Sequence, residues 1–406
     1  MQQELKEFVI SELKPGMYIS QVLEQSGRLK IRTQGLVSTD NAIENLSKQG
    51  VIRVLVDLSK SKLQKIEPAQ AETPEPATPE QEPKNQPKVE QVSFDKEINK
   101  ASSLYQQAKQ IQSKTFDNMK ANAPIDTDSI KGAANGLIES VFRNQDALAC
   151  MTRMRVKDEY LMEHSINVAI IMTIFAKHLK LDLEIIQELT TGAMLMDLGM
   201  IAIPSTTLNK KGKLSDEERA TVEQHVNMGY KVLSKAKGLS PISLEIVQDH
   251  HECVDGSGYP NGKNNEQLSL YAKMAKIVDC YDAITADRNY QSAKTPVSAF
   301  KILRSESGTS FDQELVNEFI KCMGIHPVGT LVKMKSNKLG IVIKSNPVNP
   351  ISPSVNVFYS IGNKCYIEAK VIDLALPGCN DEIDKSVKPE EFKLDMLKFF
   401  KQVLLN

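Results

Sequence analysis

The sequence predicts a mainly helical protein with a small α+β module at its N-terminal end and a small antiparallel β appendage at its C-terminal end. Three observations predict this. Residues 156–322 follow a helical pattern almost throughout. Apolar and polar residues alternate with period two only in the flanks, before residue 64 and between residues 326 and 375. A stretch rich in Pro, Glu and Gln separates the first flank from the helices.

Composition excludes several classes of protein. A chain of 406 residues with 25% charged and 41% hydrophobic residues is typical of a globular protein of two to three domains. The formal net charge is −1, so no global basic field favours a nucleic acid polymer as partner. The longest apolar run, residues 168–176, is too short to span a bilayer.

The cysteines and the N-terminus indicate a cellular location. Six cysteines are scattered without a C-x-x-C pair, which is typical of a reducing compartment. The first residues, MQQELKEF, lack the apolar core of a signal peptide. We therefore expect a cytoplasmic protein without a membrane span.

Residues 1–64 predict the small α+β module. Alternating apolar residues precede a turn at Pro15, a short helix could follow a cap at Asp40, and VIRVLVDL has the pattern of a buried strand. The module shows no cluster of reactive side chains, so we expect a structural or partner-binding role. Residues 65–92 are nearly free of large apolar residues and predict an extended, semi-stiff linker.

Residues 93–325 predict the helical domain. Two leading helices, at residues 94–121 and 127–153, either pack onto the core, which we favour, or form a homodimer. Residues 183–198 predict a buried helix. Ser215 begins a capping box for a helix that carries His225. Ser240, followed by proline, starts another helix.

Residues 326–406 predict the β appendage and a terminal helix. Four short runs, GTLVKM, LGIVIKS, SVNVFYS and YIEAKVIDL, alternate and are separated by turn residues. Residues 389–405 have an amphipathic pattern, and we expect this helix to dock on the body of the protein.

The string HHECVDGSGYP at residues 250–260 is the most informative motif. Imidazoles are good ligands for divalent metals at neutral pH. Adjacent helical residues point about 100° apart. Two neighbouring histidines therefore serve one metal best where a helix ends, and the Gly-rich turn that follows fits such an end.

Further acidic and imidazole groups lie in apolar helices. A carboxylate in such a place is costly unless it is paired or binds a cation. The sequence therefore predicts two metal sites that share one bridging carboxylate. Such a pair of ions would activate water and stabilise charge on a phosphoryl group. The six candidate ligands are His164, Asp197, His225, His250, His251 and Asp279.

The order of these residues resembles the HD-GYP family over roughly residues 135–325. The resemblance implies an HD-superfamily helical bundle, two or three iron or manganese ions, and hydrolysis of cyclic di-GMP to pGpG or GMP. It rests on His164-Ser165, Asp197-Leu198-Gly199, Ile203-Pro204, Gly212-Lys213-Leu214, His225, HHECVDGSGYPNG, Asp279 and DAITADRNY.

The resemblance also implies a role for each candidate residue. Asp197 is implied to be the catalytic residue that bridges the metals and the hydroxide, while the other five candidate ligands complete the metal sites. Arg288 is implied to meet substrate phosphate, and Tyr259 and Gly258 belong to the GYP loop that borders the pocket.

The sequence departs from the family pattern at two positions beside Asp197. Met196 replaces the histidine of the HD pair, and Met200 replaces the usual lysine three residues after the aspartate. A thioether is a poor ligand for hard or borderline ions at an N/O site. One metal position keeps all its ligands, which are Asp197, His225, His250 and His251. The other metal position keeps only His164, Asp279 and the shared Asp197. We therefore expect one or two ions per chain.

Two main hypotheses follow. In the first, the chain is a cyclic di-GMP phosphodiesterase whose turnover these losses could reduce by orders of magnitude. In the second, it is a catalytically degenerate HD-GYP protein that acts as a nucleotide-binding or protein-interaction module in signalling. Another phosphohydrolase substrate is a third, smaller option.

Overall fold

The structure is a computed structural model. It describes residues 5–10, 13–14, 16–26, 35–37, 43, 46, 51–61, 89–154, 160–210, 212–287 and 292–394. Two compact units, Met1–Pro79 and Glu80–Asn406, make up the chain. Most of the predicted linker and most of the short helix predicted after Asp40 lie outside the described residues.

The N-terminal unit contains a four-stranded antiparallel sheet with the strand order β1-β4-β2-β3. The run VIRVLVDL, predicted to be a buried strand, forms the central strand β4, and its residues Val54 and Val56 are fully buried. They pack with Ile19 of β2 in a small core of their own. The strands are β1 (Leu5–Val9), β2 (Tyr18–Gln25), β3 (Gly35–Leu36) and β4 (Val51–Asp57).

The second unit is built on helices, as the sequence predicts. Their apolar faces meet in one large buried cluster. The described helices are α1 (Phe94–Lys120), α2 (Thr127–Met151), α3 (Tyr160–His178), α4 (Leu183–Leu195), α5 (Ser205–Leu208), α6 (Asp216–Glu223), α7 (His225–Leu233), α8 (Pro241–Asp249), α9 (Leu270–Ile284), α10 (Pro296–Ser305) and α11 (Gln313–Met323).

The predicted helix starts are confirmed at two positions. Ser215 and Glu218 form the capping box at the start of α6, each side chain bonded to the backbone of the other residue. The Ser240 hydroxyl accepts a hydrogen bond from the Ser243 backbone N–H, and Pro241 is the first residue of α8. These local signals begin the two helices that lead to His225 and to the histidine pair.

The helix predicted at residues 183–198 is too long. The α-helix ends at Leu195, and a 3-10 helix follows at Leu198–Ala202. A Cβ atom at Gly199 would lie 1.9 Å from the backbone oxygen of His225, so this segment packs directly on the backbone of α7. That tertiary contact leaves no trace in apolar periodicity.

His225 also differs slightly from prediction. It does not lie on the helix that begins with the capping box, because α6 ends at Glu223 and His225 begins α7. The histidine pair does lie where a helix ends, as predicted, since α8 ends at Asp249 and His250 is its C-terminal cap residue.

The C-terminal sheet has five strands in the order β8-β7-β6-β5-β9, one more than predicted. The additional edge strand, β9, is short and polar, so alternation does not reveal it. Val332, Leu339 and Phe358 belong to the same buried cluster as the helices. The strands are β5 (Leu331–Met334), β6 (Lys338–Lys344), β7 (Ser354–Ser360), β8 (Cys365–Asp373) and β9 (Ile383–Ser386).

Three further predictions concern the tail, the membrane and the cysteines. Of the predicted terminal helix, residues 389–394 are described and begin with a 3-10 turn at Pro389–Phe392, while the rest lies outside the described residues. Within the described parts of the chain, no helix has both the length and the apolar character needed to cross a bilayer. None of the six cysteines, which all lie in the described residues, forms a disulfide.

Candidate metal centre

Four of the six predicted ligands form one tight group. Asp197 lies between α4 and the 3-10 helix, His225 begins α7, and His250 and His251 follow α8. Each of the four offers a ligand atom, and these atoms all lie within 4.8 Å of one another. We call them the four-residue cluster. Segments far apart in the sequence therefore converge on one small volume.

Backbone carbonyls orient two of the imidazoles. The Nδ1 of His225 lies 2.7 Å from the carbonyl oxygen of Val222. The Nδ1 of His250 lies 3.0 Å and 3.1 Å from the carbonyl oxygens of Ile246 and Val247. Because a carbonyl only accepts, each Nδ1 carries a proton and donates, which leaves a lone pair on Nε2 when the ring is neutral.

Those Nε2 atoms are buried and lack a hydrogen-bond partner among the described residues. Their nearest acidic neighbour is Oδ1 of Asp197, 3.4 Å from His225 Nε2 and 3.8 Å from His250 Nε2. A buried polar atom without a partner is costly. Two nitrogens and a carboxylate oxygen directed at one volume fit a cation better than they fit each other.

The protonation states of the cluster residues also favour a bound cation. Burial disfavours ionisation of Asp197, but the imidazole of His225 and the charge of His164 outweigh it and hold the pKa of Asp197 well below its usual range. Burial lowers the pKa of His250. Burial, together with the neighbouring His250 and His225, holds the pKa of His251 well below its usual range. The cluster thus offers an anionic oxygen beside the neutral imidazoles of His250 and His251.

His225 differs from the other two histidines of the cluster. Burial disfavours its charged form, but the adjacent Asp197 carboxylate outweighs burial and raises the pKa of His225. Without a cation, a proton at His225 would partly offset the charge of the aspartate. A divalent ion would take over that compensation and displace the proton.

His164 and Asp279 form a second, differently bonded group. The Nε2 of His164 lies 2.9 Å from Oδ1 of Asp279 and 3.4 Å from Oδ2 of Asp197. Its Nδ1 lies 2.7 Å from Oδ2 of Asp282. The ring also stacks on Tyr160, at a centroid distance of 5.3 Å. We call His164, Asp279 and Asp282 the acidic triad.

The triad compensates its own charge. Burial opposes protonation of His164, but hydrogen bonds with Asp279 and Asp282 outweigh it and raise the pKa of His164 to about 9. Burial opposes ionisation of Asp279, yet the hydrogen bond with His164 and nearby positive charges lower the pKa of Asp279 to about 2. Both nitrogens of His164 therefore have carboxylate partners, unlike those of the cluster histidines.

The donor chemistry of the four-residue cluster fits a divalent metal. One carboxylate oxygen and three imidazole nitrogens are the mixed set that first-row divalent ions prefer. The Nδ1 bonds of His225 and His250 to backbone carbonyls are the outer hydrogen bonds that orient metal-ligating imidazoles in proteins.

The GYP loop is tied back onto the end of α8. The buried carboxylate of Glu252 accepts hydrogen bonds from the backbone N–H groups of Asn261, at 2.7 Å, and Lys263, at 3.0 Å. A Cβ atom at Gly258 would lie 2.3 Å from the backbone nitrogen of Cys253, so only glycine fits there. The Tyr259 ring stacks on His251 at a centroid distance of 4.7 Å. The loop therefore borders the cluster.

The remaining predicted positions have different outcomes. Arg288 lies outside the described residues. Met196 is fully buried and belongs to the large apolar core. Met200 is half-buried, and its backbone N–H donates to the carbonyl oxygen of Asp197 at 2.9 Å. The side chain that replaces the HD histidine thus serves packing.

Sequence reasoning missed three residues of this region. Asp282 bonds His164, Glu252 anchors the GYP loop, and Lys276 donates from Nζ to the carbonyl oxygen of His251 at 3.1 Å. Asp282 carried a usable signal, because it lies in the same apolar helix as Asp279 and three residues after it. Glu252 stands inside the string HHECVDGSGYP, but the string does not show that its side chain bonds backbone N–H groups nine and eleven residues later. The bond of Lys276 joins residues 25 positions apart, and no local pattern indicates it.

Family models match two parts of the chain. A model described as HD domain matches residues 146–315. A model described as a domain of unknown function, DUF3391, matches residues 5–130. The first match includes the four-residue cluster and the acidic triad.

Two curated relatives are cyclic di-GMP phosphodiesterases by name. PA4108 of Pseudomonas aeruginosa is 34% identical over 297 residues, which cover 73% of this chain and 72% of the relative. PdeB of Borreliella burgdorferi is 26% identical over 252 residues, which cover 60% of this chain and 64% of the relative. Among solved structures, Bd1817, an HDG"Y"P protein of Bdellovibrio bacteriovorus, is 13% identical with a TM-score of 0.46, covering 78% of this chain and 98% of that one.

Proposed function

The chain belongs to the HD-GYP family, and from that premise we propose that it is a metal-dependent phosphodiesterase that hydrolyses cyclic di-GMP to pGpG or GMP. The observation that carries the proposal is the pair of buried, unpartnered Nε2 atoms of His225 and His250 beside Asp197. The names of the relatives support the substrate.

We propose that iron or manganese is the metal. Asp197, His225, His250 and His251 would hold the first ion, and His164 and Asp279 would help Asp197 to hold a weaker second one. A bound divalent ion would activate water and offset the charge of the phosphoryl group. Because Asp197 faces both groups, it is the residue suited to bridge them.

The other residues of the site bind and orient. Carbonyl bonds hold the rings of His225 and His250 in one tautomer, so their Nε2 atoms need no reorientation. Tyr259 stacks on one face of the His251 ring and so limits its reorientation. We further propose that Arg288 meets a substrate phosphate.

A second candidate function is binding of the nucleotide without turnover. The observation that favours it is Met196, which stands where the family has a further imidazole and packs fully buried in the core. His164 already has carboxylate partners on both nitrogens, so a second ion must compete with those bonds. Such a protein would keep the first ion and lose the second.

One preparation separates the two candidates. We expect purified protein loaded with Mn²⁺ or Fe²⁺ to convert cyclic di-GMP to pGpG or GMP, and we expect elemental analysis to find at least one ion per chain. His250→Ala should lose both the product and the ion. His178→Ala is the matched control, because the His178 ring bonds Glu318, at 3.2 Å, on the surface. Binding of cyclic di-GMP without product above the His250→Ala background would establish the second candidate.

The cellular setting is also a proposal. We propose that the protein is cytoplasmic, and the six cysteines without a disulfide support a reducing compartment. We propose that residues 1–64 receive a protein signalling partner and that the leading helices α1 and α2 are available to form a homodimer. Light scattering on the full chain tests the homodimer directly, since a monomeric mass would exclude it.

A further inference from the structure

A bound phosphate is stabilised by nearby positive charge, and this chain lacks one positive charge that the family pattern has beside Asp197. The family's lysine three residues after the aspartate is Met200 here, and a thioether carries no charge. A phosphodiester transition state gains its main stabilisation from fixed cations and hydrogen-bond donors. Beside the proposed contact of Arg288, a cation on another element of the site could take the place of that lysine.

Lys276 on α9 lies in a suitable position. It precedes Asp279 by three residues, so both side chains project from one side of the helix, a single turn apart. Its Nζ donates to the backbone oxygen of His251 at 3.1 Å, which places the ammonium beside a residue of the four-residue cluster. Its charge also contributes to the low pKa of Asp279, after burial and the bonds and charges of the histidines.

The ammonium of Lys276 retains capacity for a ligand. An ammonium group has three N–H donors, and the carbonyl of His251 uses one. No carboxylate forms an ion pair with Lys276 among the described residues. The side chain is half-buried, so part of it stays open to solvent.

Two other lysines of the helical domain are paired with carboxylates. The Nζ of Lys263, in the GYP loop, lies 2.6 Å from Oδ2 of the buried Asp249. The Nζ of Lys210, which follows the 3-10 helix and α5, lies 2.5 Å from Oε2 of Glu218. Their charges hold the loop and the start of α6.

We propose that Lys276 binds a phosphate of the cyclic dinucleotide and so replaces, from α9, the charge that Met200 no longer provides. The inference rests on the proposed function, because it names a substrate contact of the same site. It concerns a binding residue, and no metal is assigned to it. The alternative role of Lys276 is to fix the His251 carbonyl, which needs a donor and no charge.

Three substitutions separate charge from hydrogen bonding. Lys276→Met removes both, Lys276→Gln keeps a donor for the His251 carbonyl, and Lys276→Arg keeps the charge. Lys273→Met is the matched control, since Lys273 lies one turn earlier on the same helix and is also half-buried. The measurements are kcat and KM for cyclic di-GMP with Mn²⁺, its equilibrium affinity by calorimetry, and metal content.

We expect Lys276→Met and Lys276→Gln to lose about tenfold or more in kcat/KM, or in affinity if the chain binds without turnover. Lys276→Arg should recover most of the loss, and Lys273→Met should match the unchanged protein. Metal content should be equal in all variants.

Two results would overturn the inference. Lys276→Gln as active as the unchanged protein would show that only the carbonyl bond matters. Metal loss in Lys276→Met would show that the lysine acts through the cluster. Either result leaves the proposed function intact as long as the unchanged protein yields pGpG or GMP. If the unchanged protein gives no product, the affinity series still decides the role of Lys276.

Discussion

The four-residue cluster and the acidic triad are both built from histidine and aspartate side chains, but their imidazoles have different hydrogen-bond partners. In the cluster, backbone carbonyls take the Nδ1 protons of His225 and His250 and leave both Nε2 atoms without a described partner. In the triad, Asp279 and Asp282 occupy both nitrogens of His164. A neutral carbonyl partner prepares an imidazole for a cation, whereas a carboxylate partner favours its protonated form.

The contrast matters for the two ions that the family implies. The cluster needs no ring to turn and gives up only a proton at His225, while the triad must give up both a charge-assisted hydrogen bond and a proton before His164 can ligate. Met196 adds to this difference, because its thioether is packed in the apolar core beside Asp197. We therefore expect metal occupancy, stability and turnover to respond differently to changes in the two groups.

The largest effect should come from removing a cluster imidazole. We expect His250→Ala to lose the tightly bound ion and about a thousandfold or more in kcat, because the substitution removes one of the four ligands of that ion. His164→Asn should keep that ion and lose less activity. Elemental analysis and steady-state kinetics on both variants measure the difference. Equal metal loss in the two variants would erase the distinction between cluster and triad.

The next effect concerns the backbone that places Asp197 against α7. We expect Gly199→Ala to destabilise the protein by about 3 kcal/mol, because its Cβ would lie 1.9 Å from the backbone oxygen of His225 and force the two segments apart. Thermal unfolding with and without Mn²⁺ measures it. The control is Gly132→Ala in α2, where a Cβ would meet no described atom within 4 Å apart from the adjacent backbone of its own helix. This change should alter stability by about 1 kcal/mol at most. A Gly199→Ala protein as stable as this control would contradict the close packing.

A smaller effect should follow from Asp282→Asn in the triad. The amide keeps the shape but removes the negative charge at 2.7 Å from His164 Nδ1, so the pKa of His164 should fall. We expect about tenfold lower kcat with the cluster ion retained. NMR titration of the His164 ring follows the pKa, and elemental analysis follows the ion. An unchanged titration would show that Asp282 does not control this histidine.

The smallest effect should appear in the pH dependence of the metal-free protein. The pKa of His164 rises from 6.5 to about 9 on folding, so its stabilisation is fully present below pH 6.5 and is lost as pH rises through 9. We expect the Tm of protein stripped by chelator to fall across that window. The fall should be weaker in Asp282→Asn. A Tm that rises from pH 6.5 to 9 would exclude a protonated His164.

Much of the fold and the membership of the site followed from local pattern. The capping box at Ser215, the proline after Ser240, and the strand VIRVLVDL were read from neighbouring residues and appear in the structure. The histidine pair was placed at a helix end by its Gly-rich continuation. The helix predicted at residues 183–198 was too long, because a backbone contact at Gly199 involves a distant segment. Strand β9 was not predicted, because it forms by edge pairing with the distant strand β5.

The sequence by itself determined which residue types can carry the chemistry, because caps, periodicity and motif spacing are local properties of the chain. Only the tertiary structure decided what each imidazole nitrogen bonds, since Asp282 lies 118 residues from His164, and Asp197 meets His225 and His250 from a different segment. It also decided that Met196 packs in the core and that Lys276 reaches His251. The physical reason is that a hydrogen bond or an ion pair depends on distances of a few ångströms, and those distances exist only after the helices have packed.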